Sequence, residues 1–204
     1  MDKHFNPLIP NSLVWLEEHG VGFFEVQNDG VYDAAYFDKY VGMKDTEIGK
    51  ALTEFRVSLV DKYVNPETCV DIGIGSGAFV EAANCSGYDI NPVAVKYLGA
   101  KFVNPYDRIV KSITCWDSLE HIRDFGALLN QVEGYVFVSI PIFKDAHHVT
   151  LSRHYRKNEH YWYFTDAGFK AAMLKYGFHV VEQNHRETEI GRDSIGTYVL
   201  RRNQ

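Results

Sequence analysis

A chain of 204 residues, 46% hydrophobic and 14% aromatic, has enough apolar material for one well-buried domain and is unlike a disordered or fibrous protein. Its formal net charge of −6 and pI of about 5.8 weigh against nucleic acid as a partner, since phosphate contacts need an excess of Lys and Arg. Cys69, Cys85 and Cys115 lack paired spacing and read as buried thiols; with no leader and no 18-residue apolar run, the expected location is cytoplasmic, away from membranes.

Residues 1–45 carry Pro7, Pro10 and the aromatic group Tyr32, Tyr36, Phe37 and Tyr40 at helical spacing. They read as part of an N-terminal helical extension or lid, 1–65, on a domain formed by 66–204. Thr46 is placed to cap a helix whose apolar positions Ile48, Leu52, Phe55 and Leu59 make one buried stripe, ending near Tyr63. Cys69 to Gly73, an apolar run that stops in glycine, reads as a buried parallel strand.

Strands and helices then alternate. Ser86 to Ile90 is a strand and Pro92 to Lys101 a helix with Pro in its first turn. Before the strand at Ser112 to Leu119 there is room only for a stunted third strand. His121 to Gln131 reads as a helix and Gly134 to Pro141 as a buried strand, while 142–164 has no apolar period. Thr165 caps a helix that ends at Gly177, and His179 to Glu187 with Gly196 to Arg201 suit an antiparallel hairpin. The expected fold is α/β: a doubly wound, mostly parallel, seven-stranded Rossmann-like sheet, with the C-terminal hairpin and the N-terminal helical extension.

The run Val70-Asp71-Ile72-Gly73-Ile74-Gly75-Ser76-Gly77 lies between a strand and a helix. Glycines are needed there where the backbone turns tightly and approaches a ligand with no Cβ in the way. Asp89 closes the next strand, where an acid accepts hydrogen bonds from ribose hydroxyls. Gly73-x-Gly75-x-Gly77 is tighter than the dinucleotide pattern G-x-G-x-x-G, and residue 78 is Ala.

With its leading acid, this spacing resembles motif I of the class I methyltransferases that use S-adenosylmethionine (SAM) and release S-adenosylhomocysteine. Tyr88-Asp89-Ile90-Asn91-Pro92 is similar to the ribose-acid strand of that family. Trp116-Asp117-Ser118-Leu119-Glu120-His121-Ile122 resembles the segment after the fourth strand in its ubiquinone-type group, and His160-Tyr161-Trp162-Tyr163-Phe164-Thr165 followed by Gly177-Phe178 resembles a late segment of the same group. The likeness covers about residues 66–202. It implies that Asp71, Gly73, Gly75, Ser76 and Gly77 surround the methionine and ribose of SAM and that Asp89 holds the ribose hydroxyls. Ile90 would pack on adenine, and Trp116 and Asp117 would face the methionine end. Asp107 is a candidate for the adenine amine.

Ligands of such sheets sit at the carboxyl ends of the strands. That selects Glu120-His121 and the loop carrying His147, His148, His154, Glu159 and His160. Glu159-His160 is the expected general-base pair: a His titrates near neutrality and an adjacent acid can tune it. It also resembles the Glu-His pair of sugar C-methyltransferases, in which the His serves as base. His121 is a second catalytic candidate, although Glu120-His121 would also serve as a helix start. No metal is expected, because the loop histidines match no ligand spacing. Arg153, Arg156 and Lys157 read as a solvated basic loop. The expected function is methyl transfer from SAM to an O, N or C atom of a small-molecule acceptor, in a protein free to form oligomers. An NAD(P)-binding oxidoreductase and a SAM-binding protein without turnover are the competing readings. The run at 116–119 lacks the Pro-rich segment of base methyltransferases.

Overall fold

The computed structural model describes residues 13–24 and 32–203; Pro7 and Pro10 lie outside the described residues. Among the described residues, nine strands form one sheet. β3 (Cys69–Ile72) lies between β4 (Ser86–Tyr88) and β5 (Val110–Trp116), and β5 pairs in parallel with β6 (Val132–Phe143). Residues 135–141 of β6 pair antiparallel with β9 (Ile195–Arg202), which pairs antiparallel with β8 (Phe178–Asn184). The order β4-β3-β5-β6-β9-β8 is the expected doubly wound arrangement with its C-terminal hairpin. These middle strands are apolar because they are covered on both faces: β3 is buried throughout, and β5 exposes only Lys111.

Successive strand residues face opposite layers. Val70, Ile72 and Ile113 pack with Leu128 of α5 (Phe125–Leu129) and Phe169 and Met173 of α7 (Asp166–Lys175). Cys69, Trp116 and Phe137 pack on the other face with Leu59 and Val60 of α2 (Glu47–Asp61) and Phe79 and Val80 of α3 (Ala78–Ala82). α2 and α7 begin at the expected caps, Thr46 accepting from the Gly49 amide and Thr165 from the Gly168 amide.

Several boundaries differ from expectation. The third strand is reduced to one parallel bridge between Gly87 and Phe102, so the sheet stops at the three-residue β4. The extension is not purely helical: β1 (Val14–Leu16) and β2 (Val21–Phe23) form a hairpin. β2 pairs antiparallel with β7 (Trp162–Thr165), which pairs in parallel with the last two residues of β6. Strands this short carry no readable period, and their pairing is supplied by β7 far along the chain. The region 142–164 holds α6 (Ala146–Leu151), capped by Asp145, but only Val149 of α6 is buried, which leaves no apolar repeat to read. Leu119–His121 forms one 3-10 turn and Asp124 starts α5, so the expected helix from 121 is shorter at both ends. In α2, Ile48 is 48% exposed, whereas Leu59 and Val60 are buried; only the C-terminal part of α2 enters the core.

Candidate active site

The glycine turn follows β3 directly. The Gly73 amide donates to the Tyr88 carbonyl at 2.8 Å, and the Gly77 amide to the Ile74 carbonyl at 2.8 Å. Gly73, Gly75 and Gly77 all take left-handed backbone angles, with φ of 71°, 54° and 74°. A Cβ on Gly73 would stand 2.8 Å from the Ser118 Cβ, whereas one on Gly75 would meet only Tyr40, at 3.8 Å. The first glycine therefore lets the turn after β3 approach the loop after β5, and the second leaves an open cradle. Ser76 sits within the turn, its Oγ accepting from the Ala78 amide at 3.4 Å.

Asp71, at 2% exposure, accepts a 2.6 Å hydrogen bond from Thr114 Oγ1. Burial pushes its carboxyl up to about 7, against the opposing effect of the Thr114 bond. Asp89 caps its own turn by accepting from the Asn91 amide at 2.8 Å, and burial raises its pKa too. Beside it Ile90 is 63% exposed, an apolar side chain left facing outward. Asp107 is exposed and takes its hydrogen bond from Asn104 Nδ2 at 2.7 Å.

A helix crosses this edge. α1 (Ala34–Lys44) is capped by Asp33, whose carbonyl accepts from buried Asn91 Nδ2 at 3.0 Å. Phe37 enters the core against Tyr97, with ring centres 5.7 Å apart, and Lys44 pairs with Glu81 of α3. Of the aromatic group, Phe37 alone is buried. The three tyrosines form a ladder, Tyr32 on Tyr36 and Tyr36 on Tyr40, each with centroids 5.1 Å apart. Tyr40 ends over the glycine turn, and the Tyr32 hydroxyl reaches His121 Nδ1 at 3.5 Å. The ladder joins the glycine turn to the loop after β5, with Tyr32 pushed up to about 12, first by burial and then by Glu159.

That loop carries the second half of the site. The Tyr161 amide donates to the Glu120 carbonyl at 2.8 Å, drawing the segment before β7 against the Leu119–His121 turn. His160 (4% exposed) and Glu120 (1% exposed) thereby face each other, Nε2 to Oε1 at 4.0 Å. The rings of His121 and His160 meet edge to face at 4.6 Å. Burial lowers both imidazole pKa values, assisted at His160 by His121, while burial and Asp117 raise Glu120. The expected Glu159-His160 pair does not form. Glu159 is bound to Arg156 Nη1 at 2.9 Å, so the acid beside His160 is Glu120, 40 residues earlier. Arg156 thus pairs with Glu159, although its side chain is still 38% exposed.

Trp116 and Asp117, at the end of β5, have protein partners of their own. Trp116 is buried against Phe79, with the Arg56 guanidinium 5.1 Å above its ring. Asp117 is in the left-handed region at φ 56°, bound by Arg192 through Nη2 at 2.7 Å and by Arg56 Nη2 at 3.2 Å. Both guanidiniums also bind Glu187, which is fully buried and accepts from Ser139 Oγ at 2.6 Å. This neutral cluster of two acids and two arginines links α2, β5, β6 and α8 (Arg186–Glu189). No local pattern in the sequence indicates it; its bonded ion pairs span 61 to 131 positions except for Glu187 with Arg192.

A parallel sheet of this order, with a glycine turn and an acid at the ends of adjacent strands, defines a Rossmann-like domain that binds an adenosine-containing cofactor. The family profile of the methyltransferase domain matches residues 45–183, and the chain belongs to the class I SAM-dependent methyltransferase family, for which SAM is the cofactor. Comparison with curated proteins finds no match. Among solved structures it is similar to a SAM-dependent methyltransferase from Clostridium acetobutylicum ATCC 824, with a TM-score of 0.58, 13% identity and coverage of 82% of this chain and 99% of that one. It is also similar to magnesium protoporphyrin IX methyltransferase from Synechocystis PCC 6803 with bound SAH, with a TM-score of 0.55, 13% identity and coverage of 86% and 90%. A third is Burkholderia thailandensis 1,6-didemethyltoxoflavin-N1-methyltransferase, with a TM-score of 0.55, 12% identity and full coverage of both chains. At such identities the likeness is one of fold. No described helix is long and apolar enough to cross a membrane.

Proposed function

We propose that this chain transfers the methyl group of SAM to an O, N or C atom of a small molecule bound under α1. One observation carries the reading: a cofactor cradle and a buried acid-imidazole cluster share the carboxyl edge of the sheet, joined by the tyrosine ladder. The cradle fits SAM. Its turn has three left-handed glycines with open space at Gly75, an acid stands at the next strand end, and an exposed Ile90 offers a surface for adenine. Asp71, Gly73, Gly75, Ser76 and Gly77 would hold the methionine and ribose portions, and Asp89 the ribose hydroxyls. Trp116 and Asp117 would position the 118–121 turn rather than touch the cofactor, since both have other partners.

SAM supplies an electrophilic methyl on a sulfonium, and transfer is an in-line displacement that depends on placing the acceptor. The acceptor would lie between Tyr32, His121 and the glycine turn, its proton passing to the Glu120, His121 and His160 cluster. Two of the structures similar in fold are of methyltransferases named for small-molecule acceptors, magnesium protoporphyrin IX and 1,6-didemethyltoxoflavin. The test is titration calorimetry with SAM and S-adenosylhomocysteine, with NADH as control. Micromolar binding of the sulfur ligands alone is expected, weakened by about 10- to 100-fold in Asp89→Ala through loss of charge-assisted hydrogen bonds. Binding of NADH alone, or unchanged SAM affinity in folded Asp89→Ala, would overturn the assignment.

A further inference from the structure

The acid-imidazole cluster has the composition of a metal site. Glu120, His121 and His160 each present a ligating atom, and these atoms lie within 4.8 Å of one another. Two imidazoles and one carboxylate suit a borderline first-row cation such as Zn2+, Mn2+ or Fe2+. Ligands at about 2.1 Å from one cation stand roughly 3.0–3.4 Å apart, so the side chains must close by about 1 Å.

A second observation is independent of this spacing. Glu120 is 1% exposed, and among the described residues no donor reaches its Oε2. The nearby guanidiniums are committed elsewhere: Arg156 to Glu159, and Arg56 and Arg192 to Asp117 and Glu187. A buried carboxylate of this kind is normally paired or bound to a metal.

We infer that Glu120, His121 and His160 bind one divalent first-row cation, whose open positions face the Tyr32 side and take an acceptor bearing an ionisable hydroxyl. This rests on the methyl-transfer reading for its substrate, though not for the metal. A hydroxyl on such a cation gives up its proton to solvent more readily. Its oxygen then bonds to the methyl carbon as the carbon–sulfur bond breaks, the electron pair staying on sulfur. His160 thereby becomes a ligand instead of a base.

The experiment uses the full chain, stripped with a chelator and titrated with Mn2+ by loss of the free-ion electron paramagnetic resonance signal, and with Zn2+ by calorimetry. SAM affinity and the thermal midpoint are measured on the same samples. One equivalent is expected to bind, with affinity at least tenfold weaker in Glu120→Gln and in His121→Gln, both still folded and still binding SAM. Either variant serves if the other fails to fold. Absence of stoichiometric binding of both cations, or binding unchanged in the folded variants, overturns the site. Loss of SAM binding by the unaltered protein would instead defeat the methyltransferase reading and leave the metal result standing.

Discussion

Gly75→Ala separates the cost of a backbone conformation from the cost of filling the cradle. At φ 54° an Ala pays about 1–2 kcal/mol for left-handed geometry. Nothing is added by crowding, since the new Cβ meets Tyr40 at 3.8 Å, an ordinary contact. For a chain of this size each 1 kcal/mol moves the midpoint by about 2–4 °C, so a fall of about 2–8 °C is expected by scanning calorimetry. SAM affinity should fall at least tenfold, because the added methyl group occupies the space through which the cofactor would approach the protein backbone. Gly177→Ala is the control. It has φ 82° and a Cβ that would meet only the end of Arg202, 3.4 Å away, at the opposite edge of the sheet. It should lose comparable stability and keep SAM affinity. If Gly75→Ala loses stability as expected but binds SAM as tightly as Gly177→Ala does, the turn is not the cradle.

Two further outcomes follow from the supports of the site. Asn91→Ala removes a helix cap and the tie to the Asp33 carbonyl, and should cost about 1–2 kcal/mol while speeding amide exchange across 34–44; unchanged exchange there would show that α1 is held by other contacts. Asp117→Asn keeps a residue that tolerates the left-handed region but removes the charge between Arg56 and Arg192, at a cost of about 3 kcal/mol near neutral pH. Burial alone would raise the Asp117 pKa, yet the arginines hold it below the ordinary value. Its stabilisation is therefore present above about pH 4 and lost as pH falls below that, so the gap between Asp117→Asn and the unaltered protein should close in acid. A gap in urea midpoints that stays constant down to pH 2.5 would contradict the ion cluster.

What could be read from the sequence was local. The glycine turn, Asp89, the caps Thr46 and Thr165 and the proline after Asn91 each announce themselves within a few residues, and each stands where expected. What escaped depends on distant partners. Glu159 looks like the companion of His160 because it is adjacent, but adjacent side chains diverge, and the fold gives Glu159 to Arg156 and Glu120 to His160. Nothing near Asp117 in the sequence announces that Arg192, 75 positions later, binds it. Ile48 fits an apolar stripe yet is 48% exposed, since the stripe shows only which residues share a helix face and not where along the helix the core lies.

The loop after β5 shows why the extension and the sheet have to be considered together. Asp117 is a non-glycine residue in the left-handed region, a conformation costing about 1–2 kcal/mol that persists only where surroundings impose it. Here it is imposed by Arg56 from α2 and Arg192 from the segment after α8, with Glu187 keeping the two guanidiniums neutralised and buried. The reversal it makes leads directly into the 3-10 turn that carries Glu120 and His121, and the Tyr161 amide fixes that turn against His160. The same N-terminal segment supplies Tyr32 on His121 and Tyr40 over Gly75. A chain beginning at β3 would keep the glycine turn, Asp89 and Arg192 yet lose Arg56, one of the two cations on Asp117, and the roof over both halves of the site. The candidate site therefore depends on α1 and α2 as much as on the strands that bear its motifs.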